Sequence, residues 1–588
     1  MTQRNLAFAL LLSTIPALGL AAPSAGGLSS RRTAPGSDDP ASVSAFVSQL
    51  RAHSETTASA PRSLQEAVSG IVPDLPGFPR CLTPVILEVG RQAEQSPALA
   101  SFAALVLSPP ALAKETASTT PDGHFTIHFT TDRSAGHGVL GADRDGNGSP
   151  DYVDQVAAAL TAARQRLLGR LGYRDPETRG PIDVFLANLG GRVDGYTPRQ
   201  SFDRPSYLVI DSRLLGNDAL LRAAVAHQYA HAVLDGYSSD APIWWVEATA
   251  SWLEGVIVGS YAHYAGSVQG AIEQSAAGLG GDQAPLLQGR LLWPAYLSSV
   301  STRGSLVRDI WELLDRQGSG ADLWLATEQV LRSAGMSLEE TFSEYALWLL
   351  LSGERSDGRH FPFAERLDGV SYSGSFKNYP AAEIQALPML APFGVSFVRL
   401  GADGAEGGLR LRFEGDSPGL FQAQLLLTPR KEGAPLLRVT VAVDSRGHGS
   451  IGIPWATFSE AVLIVGNVVR SGEPAPYSFI ARPDPSFPFE LTSFTAEPDG
   501  EDVRITWETR SEDGLFGWVV YRSEQERDAP HRVNDVIVPA IGDGDGPVAY
   551  QYLDHGVFAG RTYHYSLVGV TRDGLTREIP RTRVDIPR

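Results

Sequence analysis

Two hydrophobic rhythms divide this chain. Apolar residues recur at helical spacing through its middle, and they alternate with polar ones, strand-fashion, through its last third. The middle begins with His124-Phe125-Thr126-Ile127-His128-Phe129, an alternating run that predicts a strand. A loop rich in Asp and Gly follows, then an amphipathic helix from about Asp151 to Leu171. Ile182 to Leu189 and Tyr207 to Asp211 read as strands, and Ala219 to Leu234 as a helix. Ile243 to Val258 reads as the next helix, with Asp240 placed to cap it and Pro242 in its first turn. Further helices are expected at Leu291 to Val300, Ser305 to Arg316, Leu323 to Ser333 and Leu338 to Leu351. Residues 121–365 therefore form one α/β (α+β) domain, strands first and helices after.

Beyond about Pro380 the helical rhythm stops. Val395 to Leu400, Leu409 to Phe413 and Leu437 to Val441 alternate with period two between Gly and Pro, so 380–482 reads as an all-β sandwich module. The run Arg482-Pro483-Asp484-Pro485-Ser486-Phe487-Pro488 is a linker candidate. Residues 489–588 form a second β module, with strands at Val503 to Trp507, Gly517 to Arg522 and Thr562 to Val568. Their spacing resembles a fibronectin type III-like sandwich, the resemblance resting on the Trp507 and Thr562 strands.

The N-terminus adds a compartment. Arg4, the apolar run Leu6 to Leu12 and the small residues Gly19 and Ala21 predict a signal peptide over 1–21, cleaved after Ala21. The run is short for a membrane anchor and is interrupted by Pro16. No later stretch is long enough to span a bilayer, since Ala98 to Ala113 is broken by Pro109-Pro110. Residues 22–120 are rich in Ala, Ser and Pro, with low complexity over Ala22 to Ser44 and short helical patterns at Val43 to Ala52 and Ser63 to Val68. They suit a propeptide-like leader or a spacer. A secreted or cell-envelope location follows. A net charge of −18 argues against nucleic-acid or anionic-membrane partners. The single cysteine, Cys81, excludes an intrachain disulfide, and on count alone it excludes a cysteine-based zinc site.

The candidate chemistry lies at His227-Gln228-Tyr229-Ala230-His231, with Glu247 sixteen positions after the second histidine. Residues at i and i+4 of a helix stand about 40° apart in projection, so both histidines share a face. Two neutral imidazoles there can grip one Zn²⁺, with Glu247 on the next helix expected as a third ligand; the plainer reading is two histidines that share a helix face by chance. The stretch AHQYAHAV, followed by WWVEATASWLEG, resembles secreted metalloproteases of myxobacteria and similar bacteria with a gluzincin-type site. The likeness spans about 121–365, including Asp151-Tyr152-Val153 and Ile310-Trp311-Glu312. It implies a zincin-like metallopeptidase domain, His227, His231 and Glu247 as zinc ligands, and a general base at position 228. There this chain departs, because Gln228 stands where the motif needs glutamate. An amide has no accessible pKa for proton transfer, and general acid–base catalysis contributes about 10²–10⁴-fold. Metal binding is expected to survive while peptide hydrolysis is weakened or lost.

The next carboxylate on that helix is not expected to replace it. Glu254 lies about 10.5 Å further along the same helical face, too far for direct transfer, and reads as a solvated or capping residue. Tyr261, His263 and Tyr264 follow closely, and sequence assigns none of them an oxyanion role. Upstream, Asp143, Asp145, Asn147, Ser149, Asp151 and Asp154 fit an EF-hand-type calcium loop, with Gly148 at its sharp turn and Asp154 in place of the usual glutamate. The competing reading is an Asp/Gly turn feeding a helix whose first turn holds Pro150 and Asp151.

Three functions fit these features. One is an exported zinc metallopeptidase-like enzyme acting on protein or peptide. The second is a pseudoprotease that keeps zinc as a surface binding or scaffold protein, its β modules contacting cell-surface or glycan ligands. The third is an adhesion protein without metal.

Overall fold

The computed structural model describes residues 80–588 apart from short internal stretches, and also Val43 and residues 47–48. The expected signal peptide, residues 22–42 of the low-complexity leader and the Ser63 to Val68 pattern lie outside the described residues.

Helices α1 (Thr83–Gln92) and α2 (Pro97–Val106) come first, then strands β1 (Thr116–Thr119), β2 (Phe125–Phe129), β3 (Ile182–Ala187), β4 (Gly195–Tyr196) and β5 (Leu208–Asp211). These make a mixed sheet in the order β1-β2-β3-β5-β4. Strands β2, β3 and β5 run parallel, and β1 and β4 are antiparallel at the two ends. Helix α3 (Asp151–Arg164), extended by a π-helical turn over Gln165–Arg170, crosses between β2 and β3. Its π turn covers the end of the amphipathic pattern that reads from sequence as one α-helix.

Two helices carry the chemistry. Helix α4 (Asp218–Asp235) opens on Asn217, whose side chain accepts from the Leu220 N–H at 3.1 Å. That satisfies one of the free donors of the first turn. Helix α5 (Ile243–Val258) ends at Gly259, which takes φ 79°, a backbone conformation suited to glycine. Pro242, not Asp240, stands at its start, and no side chain caps it. The expected Asp240 cap is therefore corrected: its Oδ2 accepts from the Gly320 N–H at 2.8 Å. Most residues of both helices are buried, in unbroken runs over 223–234 and 244–255.

The chain continues through α6 (Ala265–Glu273), α7 (Ala284–Gly289), α8 (Leu292–Val300), α9 (Leu306–Gln317), α10 (Leu323–Ser333) and α11 (Leu338–Leu350). One core holds the sheet and these helices together. Leu82, Val85, Ile86, Val89, Leu99, Val106 and Leu112, from within the expected leader region, belong to it.

The first β module is a sandwich. One sheet has β6 (Gly374–Phe376), β8 (Val395–Gly401), β10 (Phe421–Pro429), β11 (Leu437–Val441) and β13 (Phe458–Asn467). The other has β7 (Ala381–Glu383), β9 (Gly408–Gly415), β12 (His448–Pro454) and β14 (Tyr477–Asp484). Strand β14 runs through Arg482-Pro483-Asp484, which corrects the expected linker start at Arg482. Residues 485–488 lie outside the described residues. The last module sets β15 (Glu490–Asp499), β16 (Asp502–Ser511) and β20 (Asp545–Asp554) in one sheet. Its second sheet has β17 (Leu515–Ser523) and β21 (Thr562–Thr571) at the centre. Trp507 and Trp518 fill its core. The chain is multidomain, helices and a mixed sheet first and two β-sandwiches after. Among the described residues, no helix is long and apolar enough to cross a membrane.

Candidate metal centre

Helix α4 brings His227 and His231 to one face, with Nε2 atoms 3.1 Å apart. Glu247, on α5, meets both: Oε1 lies 3.4 Å from His227 Nε2 and Oε2 lies 3.3 Å from His231 Nε2. The fourth member was not expected. Cys81 Sγ stands 3.5 Å from His231 Nε2. One ligand atom from each of the four residues lies within 4.8 Å of the others, and all four residues are buried. The exclusion of a cysteine-containing site, drawn from cysteine count, is corrected here, since one cysteine suffices in a mixed-ligand site.

Several features of the cluster suit a cation. Buried charges are tolerated when paired or when they ligate metal. Here two imidazoles, a carboxylate and a thiol converge at 1–3% exposure. Glu247 Oε2 has no hydrogen bond despite its burial. Burial works against charge on His227, but Glu247, with Cys81, outweighs it and raises that imidazole's pKa well above its ordinary value. Burial and Glu247 push the Cys81 thiol up, but His231 and His227 bring it down to about 7. Without a cation, protons alone must balance this acceptor-rich set.

Around the four sits a layer that orients them. Gln288 Nε2 donates to Glu247 Oε1 at 3.1 Å. Glu254 Oε2 lies 3.2 Å from His227 Nδ1 and accepts from the Tyr264 hydroxyl, while Oε1 meets His263 Nε2 at 2.5 Å. Tyr264 itself is 3.2 Å from His227 Nδ1. Glu254 is thus buried and engaged, which corrects its reading as a solvated or capping residue. Burial would raise its pKa, but His227 and His263 hold it below the carboxylate norm. A carboxylate on the remote nitrogen of a ligating histidine fixes the ring and its tautomer.

Gln228 does not face open space. The Thr197 hydroxyl donates to its Oε1 at 3.0 Å and the Thr83 hydroxyl at 3.4 Å, while its Nε2 donates to Cys81 Sγ at 3.3 Å. Strand β4 presses on it too. A Cβ at Gly195 would come 2.9 Å from Gln228 Cγ and 2.6 Å from Val209 O, so only glycine fits there.

The Asp-rich loop is separate. Asp143 accepts from the N–H groups of Gly146, Asn147 and Gly148, and Asn147 Oδ1 accepts from Ser149 N–H. Asp145 pairs with Asn147, and Asp151 accepts from Arg144 N–H. Asp154 lies in the first turn of α3. Among the described residues, the loop's acidic groups do not converge as the Cys81 cluster does.

No protein-family model matches the chain, and no curated protein matches it. Among solved structures, a Fn3-like protein from Clostridium thermocellum aligns at 20% identity and TM-score 0.13, over 17% of this chain and 93% of that one. A beta-1,2-glucanase from Parabacteroides distasonis aligns at 11% identity and TM-score 0.12, over 34% and 31%. The adhesin domain of Epf from Streptococcus pyogenes aligns at 10% identity and TM-score 0.14, over 33% and 71%. Scores this low carry no functional weight, and the chemistry of the site stands on its own residues.

Proposed function

We propose that this chain is an exported zinc-binding protein with a zincin-like, gluzincin-type domain that has lost peptide hydrolysis and serves in binding or as a scaffold. The observation that carries this reading is the convergence of His227, His231 and Glu247 from two adjacent helices onto one buried point. The Glu254 and Gln288 contacts, of the kind that orient metal ligands, support it. Zinc, when bound, would tie α4 to α5 through these ligands, and would act as a Lewis acid only where a coordination position stays open. Position 228 supplies no base. Gln228 can accept from hydroxyls and donate to sulfur, but its amide takes no proton from an attacking water. The β modules, whose architecture commonly presents binding surfaces, give such a protein contacts with protein, cell-surface or glycan ligands.

Elemental analysis of the purified protein tests the metal: about one zinc per chain is expected, and loss of zinc in His227→Ala. A metal-free wild-type protein overturns the reading in favour of adhesion without metal. Peptide hydrolysis that disappears on chelation and in His227→Ala would overturn the loss of activity and leave a working metallopeptidase.

A further inference from the structure

We propose that Cys81 is the fourth protein ligand of this centre, so that the site is closed by the chain's own N-terminal segment instead of keeping a position open. The inference rests on the metal-binding reading above and goes beyond it, because three ligands leave a position for water or substrate and four do not.

A backbone pairing, an ion pair and a side-chain hydrogen bond place the cysteine. The segment Arg80-Cys81-Leu82 lies beside strand β4, with Cys81 bridged in parallel to Gly195. Asp194 N–H donates to Arg80 O at 2.8 Å, and Leu82 N–H donates to Gly195 O at 3.2 Å. This is a one-residue bridge laid on the end strand of the sheet, a short form of the pairing by which an extended peptide is commonly bound. Arg80 clamps the segment with a two-pronged pair to Asp194, at 2.5 and 2.6 Å. Such fork geometry holds orientation as well as charge. The sulfur then points at the histidine pair, and the Gln228 amide donates to it.

Gln228 and Cys81 make chemical sense together. A thiol binds metal as the thiolate, releasing its proton to solvent. A glutamate at 228 would set a second negative charge beside that sulfur. Glutamine instead offers an N–H donor, so the residue that removes the general base also steadies the closing ligand.

The deciding measurement is the electronic spectrum of the full-length protein with zinc replaced by cobalt. Since Cys81 is the chain's sole cysteine, a thiolate-to-cobalt charge-transfer band in the near ultraviolet has one source. The expected result is a strong band in wild type that vanishes in Cys81→Ser while about one cobalt per chain remains. Wild-type protein that holds cobalt without the band overturns this inference and leaves the metal reading intact. Protein that holds no metal overturns both. The wild-type spectrum decides the question even if Cys81→Ser fails to fold.

Discussion

At the scale of single residues, position 228 governs what the centre can do, but not alone. Restoring the base with Gln228→Glu places a carboxylate where the amide now lies 3.3 Å from Cys81 Sγ. Peptide hydrolysis is expected to stay at background in that variant, and to rise about 10²-fold or more only when Cys81→Ala is added. A fluorogenic peptide assay of both variants checks this; full activity from the single variant would break the link between the two residues. Glu254 offers a second test. Replacing it by Gln keeps the size and removes the charge facing His227 Nδ1, so zinc affinity is expected to fall about 10–100-fold, as for other outer-shell carboxylates. Competition with a chromophoric chelator measures it. His227 and His231 were legible in the sequence because helical spacing brings i and i+4 together, and Glu247 through its place on the next helix and the motif the stretch resembles. Cys81 was not, since it stands 150 positions from His231 and no local period links them. Glu254 carries a local signal: a carboxylate amid Trp252, Leu253 and Val256 is buried and needs a partner.

Among the elements, α5 was readable at both ends, because Pro242 and Gly259 punctuate it. The short strand β4 has two residues and therefore no pattern to read, yet it is the edge on which the Cys81 segment docks. The Asn217 cap of α4 holds the first turn of the helix that carries both histidines. Asn217→Ala is expected to cost about 1 kcal/mol of stability with zinc stoichiometry unchanged, read from denaturant unfolding beside elemental analysis. The Asp143 to Asp154 loop leads directly into α3. If calcium orders that entry, added calcium raises the melting temperature and EDTA lowers it in zinc-site variants as well. A melting curve indifferent to calcium assigns the loop to its internal Asx turns.

Across the whole molecule, the sequence pattern separates helices from strands at about Pro380, but the cores do not divide there. Phe393, Phe397, Leu426, Val462 and Ile464 of the first sandwich belong to the same core as the helical unit. Phe393 stacks on Trp324 at 3.6 Å and meets Phe342 edge-on at 5.1 Å. Alternation shows which residues of a strand share a face, but not what covers that face. The helical unit and first sandwich are expected to unfold in one transition, and Phe342→Ala to lower it by about 3–5 kcal/mol. Calorimetry showing two separate transitions for these parts would contradict the shared core. The last module has its own core around Trp507 and Trp518, so residues 489–588 are expected to fold alone. The docking of Arg80-Cys81-Leu82 has a kinetic side. Cargo sealed by a short segment laid on a sheet edge leaves when that segment lifts, so its escape rate follows the opening of the edge. Radiozinc exchange should therefore be slow, and should quicken when Arg80 loses its grip on Asp194.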